Sequence, residues 1–174
     1  RPAPDAVVLA PSVHASASGE LREAEGAWRQ NPADEASAVR YARAVFVLGL
    51  TEGDLRWYGA AKAAIAPWWT RPAVSAPMHF MRALVRQGFH DFDGGIADLS
   101  AAIALDPGSA EAWSWRFTLR LLTSQLEAAR ADCAAIGQRF GADEGQACEA
   151  ILRIRTGRAA EAVPLLERLV TLPD

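Results

Sequence analysis

The chain has 174 residues, about one domain's worth and enough to bury a core. Half of it is hydrophobic by count (51%), much of that alanine, and the abundance of Ala, Leu, Arg and Glu favours helices over strands. Eighteen basic against 21 acidic residues leave a net charge of −3 with no Lys/Arg block, which argues against nucleic acid or an anionic membrane as partner, and the apolar runs fall far short of the ~20 residues a membrane span needs.

Residues 1–19, "RPAPDAVVLAPSVHASASG", are rich in Pro, Ala and Ser and show no period. They read as an extended N-terminal arm with a short apolar anchor at Val7–Leu9. The first residue is Arg1 rather than Met, so we expect a processed or trimmed form; no targeting signal lies within the numbered chain, and a cleaved upstream signal and an expression start fit Arg1 equally well.

Residues 20–32, "ELREAEGAWRQNP", look like a lone second helix closed by Pro32, and "NPADEASAVRYARA" opens the next helical pair. The pair over 35–75 is degenerate and overlong; its Pro67–Trp68–Trp69 run ends a helix, and we expect it to plug the gap left by the extra length. From residue 76 the chain repeats: a 34-residue block (76–109) is followed by a 33-residue block (110–142) and a third copy over 143–174. Ala83 falls in register with Phe117, Gly95 with Ala129, Leu99 with Cys133 and Ala102 with Ile136. Apolar residues recur at helical steps within each half, as at Trp113, Phe117, Leu121 and Leu122, and at Phe92, Ile96, Leu99 and Ile103. Ser109 or Asp106 is placed to cap a helix start, Pro107 to stop the helix before it, and Gly95 and Ala83 to let two helices cross closely. Nine helices are expected, at about 20–30, 34–48, 54–66, 75–88, 92–104, 109–122, 125–137, 143–155 and 159–171, with no strands.

A period near 34 with two helical halves, a small pair 12 residues apart and a terminal proline resembles the tetratricopeptide repeat (TPR). "EAW", "DFDGGIADLSAAIALDP" and "LEAARADC" carry the resemblance, which covers roughly residues 20–174 as one domain: a half repeat at 20–34, the degenerate copy at 35–75 and repeats at 76–109, 110–142 and 143–174. It implies an all-α, right-handed α-α superhelix of about nine antiparallel helices. "APWW", "RALVRQGFHDFD", "ARADC" and "TGRAAEA" further resemble a group of uncharacterised bacterial TPR proteins that commonly carry an export signal. That implies a periplasmic or secreted location, with a cytoplasmic one as the alternative.

His90, Asp91 and Asp93 crowd three potential metal ligands beside Gly94–Gly95. The repeat makes them a turn instead, with Asp91 as a helix N-cap and Asp93 complementing the helix dipole. No HExxH, paired CxxC, GxSxG or phosphate loop occurs, so we expect no catalytic residue, no metal and no cofactor. Cys133 and Cys148 belong to neighbouring helices that should pack together. Two buried thiols in a reducing cytosol is one reading and a disulfide in an oxidising compartment the other; the even cysteine count favours the disulfide. Of Trp113 and Trp115, two apart on one helix, one should be buried and the other turned outward.

The resemblance also implies that the first helices of each pair line a concave face where TPR proteins take peptides. Matching turns puts Val39, Arg43, Phe46, Phe80, Leu84, Gln87, Ser114, Thr118, Leu121, Ala147, Ile151 and Ile154 on that face. Arg40, Arg43, Arg82, Arg86, Arg116 and Arg120 either add positive charge to its rim or solvate the outer edge. The Lys/Arg/Asn clamp for an acidic C-terminal carboxylate is missing. The reading is a non-catalytic scaffold for a partner protein or peptide. The alternative is an accessory or assembly subunit acting through its terminal helices, since Leu165, Leu166, Leu169 and Val170 leave the last helix apolar enough for weak self-association.

Overall fold

Helix propensity and a recurrent set of caps divide the described residues into nine α-helices with no strand. The structure is a computed structural model that describes the backbone of residues 11–170 and the side chains of 19–170. The helices are α1 (Pro11–Gln30), α2 (Glu35–Glu52), α3 (Arg56–Ala64), α4 (Ala76–Gly88), α5 (Phe92–Leu105), α6 (Ala110–Leu122), α7 (Leu126–Phe140), α8 (Ala142–Arg155) and α9 (Ala159–Val170). A single 3₁₀ turn, Ala66–Trp68, follows α3.

Most boundaries agree with the sequence reading to within a few residues. The exception is α1, which starts at Pro11, so the part of the expected extended arm from residue 11 onward is helical. Proline's fixed φ suits a first helical position, and no further Pro or Gly interrupts the Ala/Ser-rich stretch before Gly19. The Val7–Leu9 anchor lies outside the described residues.

The chain divides into two compact units, 1–71 and 72–174. In the first, α1 packs on α2 and α2 on α3. Trp28 stacks on Tyr41 (centroids 4.8 Å apart) and Phe46 on Tyr58 (5.1 Å), around buried Ala38, Ala42, Val45, Ala61 and Ile65. Gly49 is required here, because a Cβ would sit 2.9 Å from the Tyr58 ring. Trp68 is buried in this unit, while Trp69 is half-buried with Lys62 Nζ 4.9 Å from its ring centroid.

The second unit is three helical hairpins, α4–α5, α6–α7 and α8–α9, each helix packed on the next. Ser75, Asp91 and Ser109 cap α4, α5 and α6 by accepting bonds from the N–H groups of Met78 (3.2 Å), Gly94 (3.1 Å) and Ala112 (3.3 Å). Each hairpin turns in the same way. His90, Ser124 and Gly157 take left-handed φ angles of 62°, 60° and 76°. Their N–H groups donate to the carbonyls of Gln87, Leu121 and Ile154 (3.0, 3.2 and 3.2 Å). The N–H groups of Asp91, Gln125 and Arg158 reach the carbonyls of Arg86, Arg120 and Arg153 (2.9, 2.8 and 2.8 Å). These paired bonds satisfy carbonyls that a helix end otherwise leaves open. Within the first hairpin the crossing is set by small residues, as expected: a Cβ on Gly95 would lie 3.4 Å from the Ala83 carbonyl oxygen and 3.0 Å from Leu119 Cδ1.

Candidate interaction surface

The expected inward-facing residues separate into two groups. Phe46, Phe80, Leu84 and Leu121 are core, with 1%, 7%, 3% and 7% of their surface exposed. They are corrected from partner contacts to packing residues. On α4 the correction is complete, because every residue from Met78 to Val85 is buried, leaving only half-buried Gln87 of the expected set on that helix. Arg43, Ser114, Thr118, Ile151 and Ile154 are exposed, and Val39 and Ala147 are half-buried.

The exposed apolar positions include chain neighbours of these buried residues. Val47 and Leu50 on α2 are each 50% exposed, and Leu122 on α6 is 54% exposed, beside buried Phe46 and Leu121. Within the second unit, Ser114, Thr118 and Leu122 form an exposed stripe on α6, and Ile151 and Ile154 are exposed on α8. Thr118 and Ile151 hold matched positions of successive repeats.

The arginines are neither a rim nor a solvated edge on α4 and α6. Asp98 of α5 is 5% exposed and receives Arg82 Nε (3.1 Å), Arg86 Nε (2.9 Å) and a close contact from Arg82 Nη2, with His79 Nδ1 at 2.8 Å. Asp132 of α7, 34 residues on, is 1% exposed and takes Arg116 Nη2 and Arg120 Nη1, both at 2.7 Å. Arg116 also donates to Ser100 Oγ on α5 (3.1 Å), which ties one hairpin to the next. Each buried carboxylate is thus held by two guanidinium groups one turn apart on the preceding helix, a geometry suited to fixing register. Burial pushes the Asp98 carboxyl up, but hydrogen bonds from Arg82 and His79, the Arg82 charge and the Arg86 bond outweigh it and hold the group below its ordinary value of 3.8.

The cluster around residue 90 is spent on structure. Asp91 caps Gly94 through Oδ1 and pairs with Arg86 through Oδ2, and the His90 ring stacks on Phe92 with centroids 5.6 Å apart. Among the described residues no group of three His, Cys, Asp or Glu is placed to hold a metal. Trp113 is buried, its Nε1–H donating to the Pro107 carbonyl (3.1 Å) with the Arg116 guanidinium 4.7 Å from its ring centroid; Trp115 is half-buried. Cys133 on α7 and Cys148 on α8 lie opposite each other, with Cα atoms 5.5 Å apart.

Against known structures, MamA superposes with a TM-score of 0.62 at 13% identity, covering 91% of this chain and 90% of that one. YrrB, described as a TPR protein with an unusual peptide-binding site, gives 0.58 at 12% identity over 91% and 79%. The chain has the tetratricopeptide-repeat fold. A TPR protein from Parabacteroides merdae ATCC 43184 gives 0.60 at 16% identity, over 92% of this chain and 61% of that one. No protein-family model and no curated protein sequence matches the chain. The TPR assignment accounts for the hairpin period, the small residues at the crossing and the all-helical content together. No helix among the described residues is long and apolar enough to cross a membrane.

Proposed function

We propose that this TPR chain is a non-catalytic scaffold that binds a segment of another protein on the exposed first-helix face of α6 and α8. The observation that carries it is the pair Ile151 and Ile154, 45% and 47% exposed at a helical step on α8, together with exposed Ser114, Thr118 and Leu122 on α6, the first helix of the preceding repeat. Large apolar side chains left in water on a first helix are affinity held in reserve, and the flanking hydroxyls supply hydrogen bonds that set register. Arg43 and the exposed Val47 and Leu50 of α2 offer a second surface of the same kind in the first unit. The peptide-binding site in the description of YrrB supports the class of ligand.

Selection of peptides from a displayed library on the immobilised chain tests this reading. Enriched peptides should carry apolar anchors and bind Ile151→Glu/Ile154→Glu at least about tenfold more weakly, roughly 1.4 kcal/mol. Enrichment that survives this double variant unchanged overturns the assigned face.

The exposed flank of α9 favours assembly as a second reading. Val163, Leu166 and Val170 are 50%, 40% and 85% exposed. Solution mass that rises with concentration and reverts to monomer in Leu166→Glu supports self-association through α9; a constant monomer mass refutes it.

A further inference from the structure

Cys133 and Cys148 are the only cysteines in the chain, and both are buried, at 4% and 5% exposure. Their 5.5 Å Cα separation lies inside the range of about 4.4–6.8 Å that a disulfide spans. The approach is built into the backbones: one turn nearer the α7–α8 connection, Gly137 and Gly145 face each other so closely that a Cβ on Gly145 would meet Gly137 Cα at 2.8 Å. Two helices without side chains at their crossing bring the short cysteine side chains within reach. The bond would join the second helix of one repeat to the first helix of the next, the junction on which the orientation of α8 depends.

We propose that Cys133 and Cys148 form a disulfide in an oxidising compartment, and that it is a redox lock holding α8, with Ile151 and Ile154, against α7. The lock is independent of any partner; only its consequence for Ile151 and Ile154 rests on the function proposed above. Closure proceeds by exchange with a low-molecular-weight disulfide such as glutathione disulfide. One cysteine thiolate attacks a glutathione sulfur, expels one glutathione and leaves a mixed disulfide. The second thiolate attacks the protein-bound sulfur and expels the other glutathione. The protein dithiol is oxidised by two electrons, glutathione disulfide is reduced to two thiols, and the two protons end on those thiols. Because both sulfurs are buried, exchange in either direction passes through local opening of α8 from α7.

The test uses the full chain after incubation with glutathione disulfide or with dithiothreitol. The oxidised chain should resist alkylation in denaturant and weigh about 2 Da less than the reduced chain. Its thermal midpoint should stand roughly 6–12 °C above that of the reduced chain. Amide exchange in α8 and α9 should quicken about tenfold or more on reduction, while α4 and α5 keep their rates. Cys133→Ala should show the fast pattern under both treatments. Two alkylatable thiols after oxidation overturn the bond; exchange rates in α8 and α9 that ignore the redox state overturn the lock.

Discussion

Replacing Asp132 with alanine removes the centre of the second Arg–Asp clamp. The carboxylate is 1% exposed, accepts from Arg116 Nε (3.2 Å) and Arg116 Nη2 (2.7 Å), and forms an ion pair with Arg120 Nη1 (2.7 Å). Its loss leaves two guanidinium groups with side chains only 12% and 18% exposed facing each other without a counter-charge. Breaking a buried pair from one side typically costs ~3–5 kcal/mol. Compensation is partial: Arg116 keeps Ser100 Oγ at 3.1 Å and the Trp113 ring at 4.7 Å, and Arg120 keeps the Ala128 carbonyl at 3.2 Å. These contacts place the loss near the lower end, ~3 kcal/mol, or roughly 6–12 °C in thermal midpoint for a chain of this size. Urea unfolding followed by far-UV circular dichroism measures it. The triple variant Arg116→Met/Arg120→Leu/Asp132→Leu removes the charges together and should stay within about 1 kcal/mol of the parent or exceed it. A loss under about 1 kcal/mol for Asp132→Ala, or a triple variant as unstable as the single one, refutes the clamp as the source of register.

Further outcomes follow from the same packing. Because the folded Asp98 carboxyl is held below its ordinary value, the native state binds fewer protons than the unfolded chain in that range, so its contribution is complete above the unfolded value of about 3.9 and drains away as pH falls through the folded one. The stability gap between the parent and Asp98→Asn should accordingly shrink as pH drops below about 4, and a gap equal at pH 3 and pH 7 contradicts this. His90→Gly and Ser124→Gly relieve left-handed backbone at φ 62° and 60°, and each should raise the urea midpoint by the equivalent of about 0.5–1 kcal/mol; a lowered midpoint argues that the side chains matter more than the turn. Gly145→Ala drives a Cβ to 2.8 Å from backbone, whereas Gly95→Ala meets the mobile end of Leu119 at 3.0 Å. Gly145→Ala should cost ~1–3 kcal/mol and Gly95→Ala less, and the reverse order in chemical denaturation counts against the α7–α8 crossing as drawn.

Helix positions were legible because the stop signals are chemical: Pro107 after α5, Ser109 before α6 and Asp91 before α5 act through local bonds that need no tertiary context. The accessible face was less legible. A leucine or phenylalanine on a first helix suits the core and a binding groove equally, and one residue is a 100° rotation of the helix. Hence the sequence pattern points Phe46 and Leu121 outward, whereas Val47 and Leu122 are the exposed neighbours. On α6 the polar pair Ser114 and Thr118, four residues apart, was the dependable sign of an open stripe. On α4 no such sign exists, and Phe80 and Leu84 are buried along with His79 and Arg82.

The Arg–Asp clamps show what a period contains beyond apolar register. Arg82, Arg86 and Asp98 recur 34 residues later as Arg116, Arg120 and Asp132, so the charges repeat as faithfully as the hydrophobic positions. Arginine reads as a surface residue when taken one at a time; taken with an aspartate 16 residues on in two successive copies, it reads as a buried pair. The third copy gives the control. Matching Phe117 with Ala150 puts Glu149, Arg153 and Leu165 where Arg116, Arg120 and Asp132 stand. With leucine in place of the aspartate, Arg153 bonds Glu149 on its own helix (2.9 Å), reaches the Glu161 carbonyl (3.3 Å) and carboxylate (3.6 Å) at the start of α9, and stays partly exposed. The α8–α9 hairpin therefore has partly exposed Arg–Glu pairs in place of the buried Arg–Asp clamp of the other two, and the cysteine pair falls at the junction leading into it. A lock between α7 and α8 supplies covalently, just ahead of the hairpin without a buried aspartate, the register that Asp98 and Asp132 supply by charge.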